Sequence, residues 1–273
     1  MRKATIYEIS FNENREKVQT LLKATELIKL IKNSNRDKIL IKPNLVNASP
    51  PPITTPYWLV KELVKFLKEN LPGAEIIIAD GTGELDKDTL DLFEIHGYFK
   101  HIKGVKFLDL NYEPCIEITL KNGKNWDKMH LPEVIFKSFL ISVPVLKAHT
   151  LASVTLSMKN MIGVCPPKYY QQGGHWKKSA FHQNIHEAIF DLNCARCPDF
   201  VLLDATVGMA SSHLSGPKCN PPINKILASF DPVAIDAYGA TLLGKNWQDI
   251  GHIYLADGIL GNASNYNTIK VKI

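Results

Sequence analysis

The sequence predicts an α/β protein: a mainly parallel sheet covered by helices, with a small inserted antiparallel hairpin region. Two observations carry this expectation. Short, almost continuously apolar runs recur along the chain, among them "DKILIKPNLV", "AEIIIAD", "SFLISVPVL" and "DFVLLDATVGM". Strands that are apolar on both faces belong in a parallel sheet covered from both sides. Between them lie segments whose apolar residues recur every three or four positions, the period of a helix with one buried face.

Taken in order, "ATIYEIS" reads as a strand. Residues 15 to 32 read as helical, with Val18, Leu21, Leu22, Leu27, Ile28 and Ile31 on the apolar side. "DKILIKPNLV" is a buried strand that runs into the Pro-rich loop "NASPPPITTP". "YWLVKELVKFLKEN" is an amphipathic helix closed by "LPG", and "AEIIIAD" is a buried strand ending in "GTGE". Residues 105 to 136 differ: "VKFLDL" and "CIEITL" flank turn signals, and "KNGK" has the composition of a hairpin tip. This segment is expected to be an antiparallel excursion from one α/β domain spanning 1–273.

"SFLISVPVL" returns to a buried strand. The run "HTLASVTLSMK" (149–159) plus "NMIG" is expected to form a helix stopped by Gly163. A loop rich in Gly, Pro and aromatics (164–181) precedes the helical "HQNIHEAIFDLNCA". "DFVLLDATVGM" and "INKILASF" are strands. "DPVAIDAYGATLLG" is a helix with Asp231 as N-cap and Pro232 at its first position.

Composition bounds the function. With 45% hydrophobic and 22% charged residues, the 273-residue chain is ordinary globular material. A net charge of +5 without basic clusters suits an anionic small molecule and argues against nucleic acid as a partner. No run reaches 18 apolar residues and the N-terminus lacks a signal-peptide core, so a cytoplasmic protein with no membrane partner is expected. Five cysteines, an odd number, point to reduced thiols.

In open α/β sheets ligands collect at the carboxyl ends of the strands. There the sequence places Lys42 and Asn44, Asp80 and Thr82, Lys147 and His149, and Asp204. Each alone reads as a solvated loop residue or a cap; together they read as a cleft. Lys42, Lys147 and Lys159 would attract a carboxylate or phosphate. His149, Lys159 and Asp80 are the candidate catalytic groups, since a base held between cations titrates nearer neutrality. Asn44, Thr82, Asn160 and Asp204 join Lys42 and Lys147 as candidate substrate-binding residues. No Walker A motif and no G-x-G-x-x-G follows a strand. Cys194 and Cys197 form a C-x-x-C without a second pair, and no iron–sulphur cluster is expected in this chain. His182 and His186, four apart, would share a face if helical, either as metal ligands or as a capping and a surface residue.

"IKPNLV", "TTP", the strand-end "DG", "VPVLKAHTLASVTLSMKNMIG" and "SFDPVAIDAYGATLLG" together resemble the domain of unknown function 362 family, from about residue 39 to 262. Many members of that family carry an added ferredoxin module; no such module is expected in this sequence. The resemblance therefore also implies an alternative role, as an electron-transfer or scaffold protein with a ferredoxin-type partner. More distantly, His149, Lys159 and His175 resemble the spacing of the lactate racemase family. In that family the lysine anchors a nickel-pincer nucleotide, the second histidine ligates nickel and the first moves the substrate proton. The racemase's Gly-rich linker is "TLASVTLSM" here, and its other proton-transfer histidine is Gly83. The resemblance implies a shared scaffold with altered chemistry, acting on a small anionic metabolite. It also leaves open a divalent metal, nickel or zinc, on His149, His175 and His182.

Overall fold

The structure is a computed structural model and describes residues 4–272. In chain order β1 (Ala4–Ser10) is followed by α1 (Glu16–Ala24) and α2 (Leu27–Asn33). Then come β2 (Lys38–Pro43), α3 (Tyr57–Asn70), β3 (Glu75–Asp80), α4 (Thr89–Ile95), α5 (Tyr98–His101) and β4 (Lys106–Asp109). β5 (Cys115–Thr119) and β6 (Lys128–Pro132) precede α6 (Glu133–Lys137), β7 (Ser138–Val143), β8 (Val145–His149), β9 (Ser153–Thr155), α7 (Ser157–Asn160) and α8 (Pro167–Tyr170). The chain closes with α9 (Ile185–Ala195), β10 (Phe200–Met209), β11 (Lys225–Ser229), α10 (Pro232–Leu242), α11 (Gly251–Ala256) and β12 (Tyr266–Lys270).

The main sheet runs β12-β1-β11-β10-β7-β2-β3-β4. From β10 to β4 all neighbours are parallel, so these carboxyl ends share one edge. β11 is the exception, antiparallel to both β1 and β10. Strand parity separates two faces. Ile39, Ile41, Ile76, Ile78, Phe139 and Ile141 pack with α1, α2 and α3. Leu40, Ile77, Ala79 and Leu140 pack on the other side with Phe181, Ala188 and Leu192. By the same parity Lys42 and Ser142, cross-strand partners, fall on the second face.

Four expectations are corrected. "VKFLDL" is not part of the antiparallel excursion: β4 pairs parallel with β3 at the sheet edge, and the hairpin is β5–β6 alone. The 15–32 helix is interrupted at Thr25, whose backbone is extended and whose hydroxyl donates to Leu22 O (2.7 Å), ending α1. The 149–163 helix shrinks to α7 and a following 3-10 turn (Met161–Val164). Before it the chain reverses: β9 folds back on β8, with Ser153 at φ 63°. The backbone N–H groups of Leu151 and Ala152 donate to His149 Nδ1 (3.0 and 3.1 Å) instead of to helical carbonyls. Finally, His182 ends a 3-10 turn (Ser179–His182) and Asn184, at φ 51°, starts α9 afresh, so His182 and His186 do not share a helix face. The N-cap held: Asp231 Oδ1 accepts from the Val233 and Ala234 amides, with Pro232 first in α10.

Candidate functional site

At the shared carboxyl edge lies a cavity of about 290 Å³. Its walls come from six segments far apart in sequence: Lys42 and Asn44, Asp80, Lys147 and His149, Lys159 and Asn160, Lys178 and His182, and His213. Apolar surface comes from Ile162, Trp176, Phe181 and Leu214.

A buried polar chain lies beneath it. Lys42 Nζ pairs with Asp80 Oδ1 (2.6 Å), with both side chains almost wholly buried. The same ammonium donates to Pro43 O (3.1 Å) and Asn160 Oδ1 (3.2 Å), so all three of its N–H groups are taken. Asn160 Oδ1 also accepts from Asn44 Nδ2 (3.0 Å), and its own amide donates to Ser142 Oγ (3.0 Å). Asn44 Oδ1 in turn accepts from Lys147 Nζ (2.8 Å). Asp80 is occupied as well: Gly81 N donates to Oδ1 and Leu45 N to Oδ2. Gly163 allows the close fit, because a Cβ there would stand 2.5 Å from Lys42 Nζ.

The cavity therefore holds one carboxylate, already paired, against four lysines. Burial, assisted by the positive Lys159 and Lys42, brings Lys147 down to about 7; Asp80 opposes the shift. Burial alone brings Lys159 to about 8. Among the described residues Lys159 has no hydrogen-bonding or ionic partner. Lys178, bonded to Asn111 Oδ1 and the Cys165 carbonyl, is also lowered to about 8 by burial. For Lys42, burial outweighs the opposing carboxylate and the shift is again downward.

His149 is held neutral. Burial is the main cause of its strongly lowered pKa, with Lys159 next. With Nδ1 accepting two backbone N–H groups, the proton of the neutral ring must sit on Nε2. The His213 ring stacks on it at 3.8 Å between centroids, and burial takes His213 to about 3. His213 Nδ1 is buried without a partner among the described residues.

Of the residues expected at the site, Lys42, Asn44, Asp80, Lys147, His149, Lys159, Asn160 and His182 line the cavity. Two do not. Thr82 is buried beside it, its hydroxyl donating to Val46 O (3.0 Å). Asp204 lies within β10, not at its end, and is tied to the Thr206 amide and hydroxyl (2.9 and 2.7 Å). The proposed metal trio is not gathered: His175 is exposed on its loop and is not part of the cavity wall. Among the described residues no group of three or more His, Cys, Asp or Glu is placed to hold a metal. The ligand set for nickel thus does not fit, and His149 could bind a metal through Nε2 only by moving its proton onto an atom that already faces two N–H donors. Sequence reasoning missed His213, in the featureless "SSHLSG", and Lys178, although "HWKK" is the densest basic patch near the site.

A lysine-rich cavity at the carboxyl edge of an α/β sheet is the class of site that this geometry defines. The chain belongs to the family described as Domain of unknown function (DUF362), whose model matches residues 39–241. No curated protein matches it. Among solved structures it is similar to the lactate racemase apoprotein from Thermoanaerobacterium thermosaccharolyticum, at 13% identity and a TM-score of 0.52. The match covers 84% of this chain and 55% of the racemase, so the chain spans about half of that protein's length and the likeness is one of fold. Among the described residues no helix is long and apolar enough to cross a membrane.

Proposed function

We propose that this protein is an enzyme acting on a small anionic metabolite, a carboxylate or a phosphate, by lysine-centred acid–base chemistry in the strand-end cavity. The observation that carries the reading is the charge imbalance of the walls. Among the described residues Lys147, Lys159 and Lys178 line the cavity without a carboxylate partner, while the one acid in its wall is bound to Lys42. An anion would complete them. The scaffold shared with an enzyme named for lactate, a small carboxylate, agrees with this class.

On this reading the roles divide as follows. Lys42, Asp80, Asn44 and Asn160 hold the framework. His149, donating from Nε2, binds the anion rather than taking a proton. Lys147 and Lys159, lowered toward neutrality, supply the base. Isothermal calorimetry with oxalate and with inorganic phosphate tests the proposal. At least one should bind, and Lys159→Met should weaken it by roughly tenfold or more, the size of one charge-assisted hydrogen bond. Binding unchanged in that variant would refute the assignment.

A further inference from the structure

We infer that Lys147 is a nucleophile, whose amine condenses with the carbonyl carbon of a small anionic aldehyde or ketone to form a Schiff base. The inference rests on the anion-site reading above and names the substrate class of that site.

The argument starts from two lysines in one network. Lys42 has three acceptors for three N–H groups, one of them a carboxylate, and is built to stay charged. Lys147 has two acceptors, Asn44 Oδ1 (2.8 Å) and Ile53 O (2.6 Å), both uncharged. A neutral amine has two N–H groups and one lone pair. The two bonds satisfy the N–H groups and leave the lone pair over, on a side chain that lines the cavity. A charged Lys147 would carry a third N–H for which no acceptor is present among the described residues. Burial, together with the positive charge of Lys159 and Lys42, acts in the same direction. At pH 7 such a lysine holds on the order of 10³-fold more neutral amine than an ordinary one.

Neutral buried amines attack carbonyls. The amine, the carbonyl and one proton give the protonated imine and water. The nitrogen lone pair forms the C–N bond, and the carbonyl oxygen leaves as water. Of the three hydrogens available, two leave with the oxygen and one stays on nitrogen, where Asn44 Oδ1 can still accept it. The proton can come from the Lys159 ammonium in the same cavity. The substrate's anionic group then falls to Lys178, Lys159 and the Nε2–H of His149, and its short carbon chain to Ile162, Trp176 and Phe181.

The full-length protein is incubated at neutral pH with pyruvate and sodium cyanoborohydride, digested and mapped by mass spectrometry. Oxalate binding is measured in parallel without the reductant. One reduced pyruvate on Lys147, suppressed by excess oxalate and absent in Lys147→Arg, supports the inference. The wild-type peptide map identifies the site even if the variant does not fold. No adduct in protein that binds oxalate overturns the inference and leaves the anion reading standing. An adduct on Lys159, on Lys178 or spread over surface lysines overturns the assignment to Lys147. Binding of neither oxalate nor inorganic phosphate, both measured by calorimetry, overturns the anion reading and this inference with it.

Discussion

At the residue scale, what distinguishes the buried lysines is the number and charge of their acceptors. Lys42 is neutralised by Asp80 within the protein; Lys147 and Lys159 are not. Breaking a buried pair on one side leaves an uncompensated charge, at a cost of about 3–5 kcal/mol. Asp80→Asn should therefore lower unfolding stability by about that amount in urea titrations. A loss under about 1 kcal/mol would show that water enters the pair. Gly163→Ala should act on the same pair, because its Cβ would meet Lys42 Nζ and the Asp80 carboxylate. That Lys42, Asp80 and Lys147 lie together was legible in the sequence, since parallel strands end at one edge. Their division of labour was not, because it depends on hydrogen bonds between positions more than 100 residues apart, such as Lys147 to Asn44.

At the element scale, α7 is only four residues long and is held from outside. The buried Asp236 carboxylate, on α10, accepts from Ser157 N (2.8 Å) and Met158 N (2.9 Å), and Asn193 Nδ2, on α9, donates to Met158 O (3.0 Å). Two separate helices thus fix the turn that carries Lys159 and Asn160. Asp236→Asn would set an amide N–H against one of the two backbone donors. The expected loss is about 1–3 kcal/mol of stability, together with weaker oxalate binding, measured by calorimetry on the same preparation. Unchanged binding would mean that α7 keeps its place without the carboxylate. The run 149–160 also shows where sequence reasoning stops. Leu151, Val154 and Met158 have acceptable helical spacing, but the His149 side chain captures the first amides and β9 pairs back on β8. A side chain competing with helical carbonyls leaves no mark on hydrophobic periodicity. Long strands such as β2 and β3 were legible because both faces are buried and nothing competes.

At the scale of the whole molecule, three lysines with lowered folded pKa values set a pH dependence. A lysine lowered to about 7 or 8 is neutral when folded but protonated when unfolded up to about 10.5. The unfolded state then binds more protons, so stability rises with pH across that window. Two opposing sets bound the useful range. Asp236, raised to about 8 by burial, loses stability as pH climbs toward 8. The thiols of buried Cys165 and half-buried Cys197, both raised by desolvation, oppose the lysines once unfolded thiols ionise near 9. Chemical denaturation should therefore show stability increasing from pH 8 to 9, with a smaller slope in Lys159→Met. A flat or falling profile over that unit would mean that the amines stay charged when folded. An anion bound as proposed would restore their charge, so its binding at pH 8 should take up protons. Calorimetry in buffers of different ionisation enthalpy reads that uptake directly.

The cavity wall is assembled from Lys42, Asp80, Lys147, Lys159, Lys178 and His213, spread over 172 positions (213 − 42 = 171 steps apart). No single helix, strand or loop contains it, so an unfolded chain does not hold these groups together. Any true ligand must therefore act as a thermal stabiliser, worth about 2.7 kcal/mol at a hundred times its dissociation constant. A melting-temperature survey across small carboxylates, oxo acids and phosphates should rank compounds by their fit to this cavity. The physiological ligand can be sought in that way before any reaction has been observed.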